Sequence, residues 1–126
     1  MIEVIETALA DLDIRLYDSD ATEAVEDYYV LLVAPSVGRG FQDTLAGGGA
    51  INLIVRAVGI DPGHARLILA ETRKRLRGLH AQQGGTRFAF HWDGCPRPVQ
   101  VERIVRSDGT DTNMCWLDDE YTVFLE

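Results

Sequence analysis

The spacing of apolar residues predicts helices at two places in the chain. Near the start, apolar residues recur at spacings of three, four and three, which forms one stripe of a short helix: Ile2, Ile5, Leu9 and Leu12. A long helix is predicted over residues 62–79, because Asp61 is a preferred N-cap residue and Pro62 a preferred first helical residue. Its last turns are basic, which complements the helix dipole.

Runs of alternating or uninterrupted apolar residues predict the strands. Residues 28–34 are apolar without interruption, which indicates a strand that is covered on both faces at the centre of a sheet. Residues 50–59 alternate and predict a second long strand. Further strands are predicted at residues 14–17, 87–92, 99–105, and 115–125, the last one interrupted or bulged at 118–120.

The order of these elements predicts the α+β class. We expect a single mixed or antiparallel β-sheet, with the short N-terminal helix and the one long helix packed on it. A length of 126 residues suits one domain, residues 1–126. Residues 35–49 are predicted to form a long glycine-rich loop, in which Phe41 is a large apolar side chain suited to contact a partner.

Composition and charge narrow the function classes. The chain has 20 acidic and 12 basic residues and a net charge of −8, which disfavours recognition of nucleic acid. It has no apolar run of the ~18 to 20 residues that a membrane span needs, and no basic start typical of a signal peptide. Two cysteines do not suffice for a disulfide framework, so a reducing, cytosolic location is expected.

One group of residues has the types needed for chemistry. On an extended segment His91, Asp93 and Cys95 would share one face, as a thiolate–imidazole pair or as three metal ligands. The alternative, which we favour, is a turn in which the histidine and the cysteine pack as ordinary side chains. His64 and His80 are expected on the surface, and the acidic run 118–120 in solvent. We therefore predict no enzymatic activity, no cofactor and no metal.

The distribution of charge allows contact with another protein chain. Arg66, Arg73 and Arg77 are predicted within about 40° of one another on one helix face. Residues 1–27 contain nine acids and one base, so they carry the whole net charge. The arginine row could pair with acids of a second copy, among which we single out Glu23, Glu26 and Asp27. The alternative is a solvated outer face of the helix. If the row makes the contact, reversing the charges of Arg73 and Arg77 should weaken assembly and leave the fold intact.

The order of elements resembles that of the tail-terminator, or tail-completion, proteins of long-tailed bacteriophages. The likeness is carried by the N-terminal helix, the run 28–33, the strand 51–59 followed directly by the helix from Pro62, and a final hairpin ending at residues 121–125. It implies a non-enzymatic ring, usually of six copies, that caps the tail tube and joins the head-completion protein.

The resemblance also implies where the protein acts and what it contacts. Its partners would be further copies of itself, the tail tube protein and the head-completion protein. It would be found in the host cytoplasm during assembly and then in the virion tail. A ring contact needs two different, complementary surfaces, and the acidic first quarter and the basic helix face supply them. The alternative is a small acidic inhibitor or immunity-type protein that binds a basic partner.

Overall fold

Two helices and seven strands make up the part of the chain that the computed structural model describes, residues 2–18, 28–33, 49–105 and 109–125. The helices are α1 (Ile2–Leu9), which a 3-10 turn (Ala10–Leu12) extends, and α2 (Pro62–Leu76). The strands are β1 (Leu16–Asp18), β2 (Tyr29–Val33), β3 (Gly49–Gly59), β4 (His80–Gln83), β5 (Thr86–Gly94), β6 (Gln100–Val105) and β7 (Asp111–Leu125).

The strands form one curled, mixed sheet in the order β1-β2-β3-β7-β5-β4, and β6 also pairs with β7. Only β1 and β2 are parallel. The two longest strands, β3 and β7, lie at the centre. The prediction that residues 28–34 form the central strand is wrong, because β2 lies beside the edge strand β1 and buries only Val30 and Leu32. Its other apolar side chains are half-exposed on the opposite face.

The helices cover one face of the sheet. Alternate side chains of β3 and β7 pack there against α1 and α2 and form the core, with the large buried members Ile5, Leu53, Leu69, Leu76 and Tyr121. The other face, which we call the open face, is covered by neither described helix. Half-buried aromatic side chains lie on it, including Tyr29 of β2 and Trp116 of β7, on either side of β3.

Helix α2 begins as predicted but ends earlier. Pro62 is its first residue, and the backbone N–H of His64 donates to the Asp61 carboxylate at 2.8 Å. The helix stops at Leu76, so the prediction of a helix to residue 79 is wrong. The chain turns at Gly78, where φ is 72°, and Leu79 still packs on the core although it is no longer helical. The apolar spacing therefore continues past the point where the helix ends.

A short strand follows the end of α2, and the apolar pattern of the sequence did not predict it. Residues 80–83 form β4, which pairs with β5 in a hairpin whose turn is Gly84-Gly85. Both glycines have positive φ, 56° and 82°, as a two-residue hairpin turn of this kind requires. The short, polar sequence of β4 has no apolar alternation that could have revealed it.

Strand β7 runs for 15 residues without a break, so the interruption predicted at 118–120 is wrong. The irregularity lies instead in β5, whose register shifts between Trp92 and Gly94. β5 pairs with residues 120–125 of β7, and β6 pairs with residues 111–116 along the same edge. Residues 95–99 connect β5 to β6, and Arg97 and Pro98 lie beside residues 116–118 of β7.

The N-cap of α2 gives a first testable prediction. Changing Asp61 to alanine should lower the free energy of unfolding by about 1 kcal/mol, because the N–H of His64 loses its acceptor. Asp61→Ser is the matched control, since its hydroxyl can still accept this bond. Urea denaturation followed by circular dichroism measures both. Equal losses in the two variants would show that the cap does not stabilise the helix.

Candidate subunit interface

The three predicted contact arginines lie along one flank of α2, but they differ in how they are held. Arg66 is exposed and makes no ion pair with a described residue. Arg73 and Arg77 both stack on Trp92 of β5, with guanidinium carbons 4.6 and 4.8 Å from the ring centroid. This flank of α2 therefore faces β5 and β7, and only Arg66 and Arg77 remain without a carboxylate partner among the described residues.

Arg73 is bound within its own chain. Its Nε donates to Oδ2 of Asp119 at 2.9 Å and its Nη2 to Oδ1 at 2.7 Å. Asp119 is fully buried in β7, and its hydrogen bonds raise the pKa of Arg73. The expectation that Arg73 can be reversed in charge without harm to the fold is therefore wrong, because the reversal would leave a buried carboxylate facing another carboxylate.

A second arginine–aspartate pair lies on the open face. Arg56 of β3 donates from Nε to Oδ1 of Asp118 at 2.8 Å and from Nη2 to Oδ2 at 3.0 Å. Asp118 is 8% exposed, and its hydrogen bonds raise the pKa of Arg56. The guanidinium of Arg56 also lies 5.6 Å from the centroid of Trp116. The acidic run expected in solvent thus supplies two largely buried carboxylates, one on each face of the sheet.

A signal for this arrangement was present in the sequence. Residues 117, 121, 123 and 125 are apolar at a spacing of two or four, which places residue 119 in the same core-facing row. A carboxylate in a core row must be ion-paired, which points to an arginine from another element. The partner itself comes from a helix 46 residues away along the chain, so local patterning does not identify it.

His91 and Cys95 do not form one site. The register shift in β5 inserts an extra residue between them, so His91 is on the open face and Cys95 packs against the core. Burial, and then the nearby Asp119, raise the pKa of the Cys95 thiol. His91 lies 3.5 Å from Asp93, whose carboxylate also accepts from the hydroxyl of Thr122 at 2.6 Å.

The other two histidines lie at the start of α2 and in β4. His64 accepts from the N–H of Ile60 at 3.3 Å, at the start of α2. His80 is exposed in the edge strand β4. In residues 2–18, 28–33, 49–105 and 109–125, no three His, Cys, Asp or Glu side chains are grouped as a metal site would require.

Four of the predicted contact residues lie outside the described residues: Glu23, Glu26, Asp27 and Phe41. The same holds for residues 35–48 of the predicted glycine-rich loop. Their part in a partner contact stays a prediction.

Acidic side chains remain exposed at one side of the molecule. Asp11 is bound to Arg75 by hydrogen bonds of 2.8 and 2.9 Å, which places the end of α1 on the side of α2 away from Trp92. Glu6 and Asp13 are exposed beside it and have no ion pair with a described residue. We call Glu6 and Asp13 the acidic edge. It lies next to β1, at one end of the sheet.

Basic side chains remain exposed at the opposite side. Arg97 lies on the connection between β5 and β6, is exposed, and has no ion pair among the described residues. Arg66 and Arg77 lie on the flank of α2 that faces the same region. We call Arg66, Arg77 and Arg97 the basic edge. Arg66 and Arg77 are on the side of α2 opposite the acidic edge, because Arg75 faces Asp11 whereas Arg77 faces Trp92, and Arg97 lies beside β7 near the middle of the sheet.

Comparison with known proteins found no relative of this chain. No protein-family model matches the chain, and no match was found among curated proteins or solved structures. Among the described residues, no helix combines the length and the apolar character that crossing a bilayer would demand.

Proposed function

We propose that this chain is a non-enzymatic structural protein of a long-tailed bacteriophage, which assembles head to tail into a ring that caps the tail tube. The observation that carries the proposal is the placement of the acidic edge and of Arg66 and Arg77 on opposite sides of α2. The order of elements along the chain, which resembles that of tail-terminator proteins, supplies the biological setting.

A ring of identical copies needs a heterologous contact, in which one surface of each copy meets a different surface of the next. The charges that are not used in ion pairs within the chain suit such a contact. Asp11, Asp118 and Asp119 are bound to Arg75, Arg56 and Arg73. The exposed charges without an ion pair to a described residue include Glu6, Asp13 and Arg15 near the end of α1, and Arg66 and Arg77 on the other side of α2. A surface that is acidic on balance and a basic surface on opposite sides of α2 favour head-to-tail approach over face-to-face approach.

A ring on a tail also has to contact proteins above and below it, and the open face is suited to this. It contains Tyr29, Arg56, Met114 and Trp116 as neighbours, and the Tyr29 hydroxyl lies 3.8 Å from the Met114 sulfur. Tyrosine, tryptophan, arginine and methionine are the residue types enriched in protein interfaces. We propose the tail tube protein and the head-completion protein as the partners, in the host cytoplasm during assembly and then in the virion.

The edges provide a direct test of self-assembly. Changing Arg66 and Arg77 to glutamate should weaken self-association about tenfold or more, since like charges would then meet across the contact. The circular dichroism spectrum should be unchanged, because neither residue holds a buried carboxylate. Sedimentation velocity over a wide concentration range, at low and high salt, measures the association constant.

Two further variants make this test specific. Glu6→Arg alone should also weaken association, and mixing it with the Arg66→Glu, Arg77→Glu variant should restore mixed assemblies. Arg87→Glu changes an exposed charge in β5, near the hairpin turn, and should leave association as it is in the wild type. Equal effects of Arg87→Glu and the double variant would contradict the proposal.

The second candidate is a small acidic inhibitor or immunity-type protein, which the net charge of −8 favours. Such a protein would stay monomeric at every concentration and bind a basic protein in a one-to-one complex. Light scattering during gel filtration separates the two proposals.

A further inference from the structure

We infer that the contact between neighbouring copies is made by Asp13 of one copy, which docks into a hollow beside Arg97 of the next. The inference rests on the proposed ring and names the side chains that close it. The hollow lies over β3 and β7 in the middle of the sheet and Asp13 lies beside the edge strand β1, so each copy offers one of each.

The hollow exists because β5 and β6 do not form one continuous strand. Between them, residues 95–99 lie beside β7 and leave a cavity of about 280 Å³ on the open face. Its apolar walls are Pro98, Trp116 and Leu117, and its polar lining is Arg97, Gln100, Arg56 and the Asp118 carboxylate that pairs with Arg56. Apolar walls with a few polar groups are typical of a site that receives a side chain.

The charge within the hollow selects an acidic occupant. The guanidinium of Arg56 is already neutralised by Asp118 through two hydrogen bonds. Arg97 has no carboxylate partner among the described residues, so its charge is left for a group from outside. A carboxylate with a short apolar stem satisfies both the guanidinium and the walls.

Asp13 presents such a carboxylate from a backbone turn that is held on both sides. It lies between the 3-10 turn and β1, where its φ of 51° makes it the one non-glycine residue with left-handed backbone among the described residues. Leu12 and Ile14 on either side pack against the core and hold the turn. Asp13 itself is exposed. A turn whose backbone is already held loses less freedom on binding, which favours affinity.

The positions of Asp13 and of the hollow decide the symmetry of the contact. If they lay side by side, two copies could satisfy each other in a closed dimer. Because Asp13 lies beside β1 and the hollow lies over β3 and β7, each docking leaves one free hollow and one free Asp13, so the contact repeats from copy to copy until the ring closes. Glu6 lies on the same acidic edge and adds attraction at longer range.

A double-mutant cycle tests the pairing. Asp13→Asn removes the charge and keeps a residue type that tolerates left-handed backbone. Arg97→Gln removes the guanidinium. Each single variant should weaken self-association about tenfold, and the double variant should be no weaker than either single one, because the two changes break one interaction. Sedimentation velocity at fixed salt measures all four association constants, and denaturation checks that each variant is folded.

A photo-crosslinking residue at position 97 identifies the occupant. In the self-associated protein, crosslinks from position 97 should fall on residues 10–18 of another copy, as mapped by mass spectrometry. Crosslinks that fall elsewhere on the chain, or on an added acidic protein in preference to a second copy, would overturn the inference.

The outcomes separate this inference from the proposed function. If Arg66→Glu with Arg77→Glu weakens association while the cycle is additive, the ring stands and the Asp13 docking is wrong. If the wild-type protein shows no self-association at any concentration, both are wrong. If the ring forms and neither single variant weakens it, the docking alone is wrong.

Discussion

Replacing Arg73 by alanine is expected to lower the free energy of unfolding by about 3 kcal/mol, the largest effect of any single surface change considered. The variant would leave the Asp119 carboxylate inside the protein, fully buried and without its two hydrogen bonds. A carboxylate cannot be buried unpaired without a large desolvation cost. We place the effect at the lower end of the range for buried ion pairs, because the Arg73 side chain is 30% exposed.

Chemical denaturation of purified protein measures this loss, with Arg66→Ala as the control on the same helix. Arg66 has no described ion-pair partner, so its removal should change the unfolding free energy by less than about 0.5 kcal/mol. The double variant Arg73→Met, Asp119→Leu should recover most of the loss, since it removes the buried charge together with its partner. A loss in Arg66→Ala equal to that in Arg73→Ala would show that the ion pair has no special role.

Gly59→Ala should destabilise the protein by about 2 kcal/mol through overpacking. A Cβ at this position would lie 2.8 Å from the backbone nitrogen of Ala65 and 3.1 Å from the carbonyl carbon of His64. These are backbone atoms of the first turn of α2, so no side-chain rotation can relieve the contact. The whole start of the helix would have to move away from β3.

Gly63→Ala is the matched control, because a Cβ there meets only the Asp61 carboxylate, at 3.3 Å. The Asp61 side chain must shift by a few tenths of an ångström, and alanine favours helix more than glycine by up to about 1 kcal/mol, so this variant should lose much less stability than Gly59→Ala. Thermal unfolding followed by circular dichroism compares the two. Similar melting temperatures for both variants would mean that β3 and α2 can separate at little cost.

Sequence patterning located those elements whose signals are local. The start of α2 follows from Asp61 and Pro62, and β3 follows from its alternation of apolar and polar residues. The end of α2 was misplaced because Leu79 stays on the core after the helix has ended. The position of β2 was misjudged because its apolar side chains lie on both faces of the sheet, and only those on one face are buried. The periodicity of a single strand also does not reveal the order of strands in the sheet.

The candidate site was less accessible from the sequence because it depends on contacts between distant residues. Helical spacing grouped Arg66, Arg73 and Arg77, but only the structure shows that Arg73 is bound to a buried partner. Arg97 was missed, since a lone arginine between two prolines has no pattern. Its importance comes from β5 and β6 lying end to end along β7, which places that connection beside a gap in the strand pairing.

The neighbouring carboxylates of Asp118 and Asp119 have a consequence for the alignment of the sheet. Strand β7 slides past β3 by one residue only if every side chain changes sides. In a slip of one residue Asp119 would lie opposite Arg56, or, in the other direction, Asp118 would lie opposite Val55, where Asp119 lies now. Either slip could re-form only one of the two ion pairs and would leave the other arginine without its carboxylate, so the two adjacent acids disfavour a shifted register.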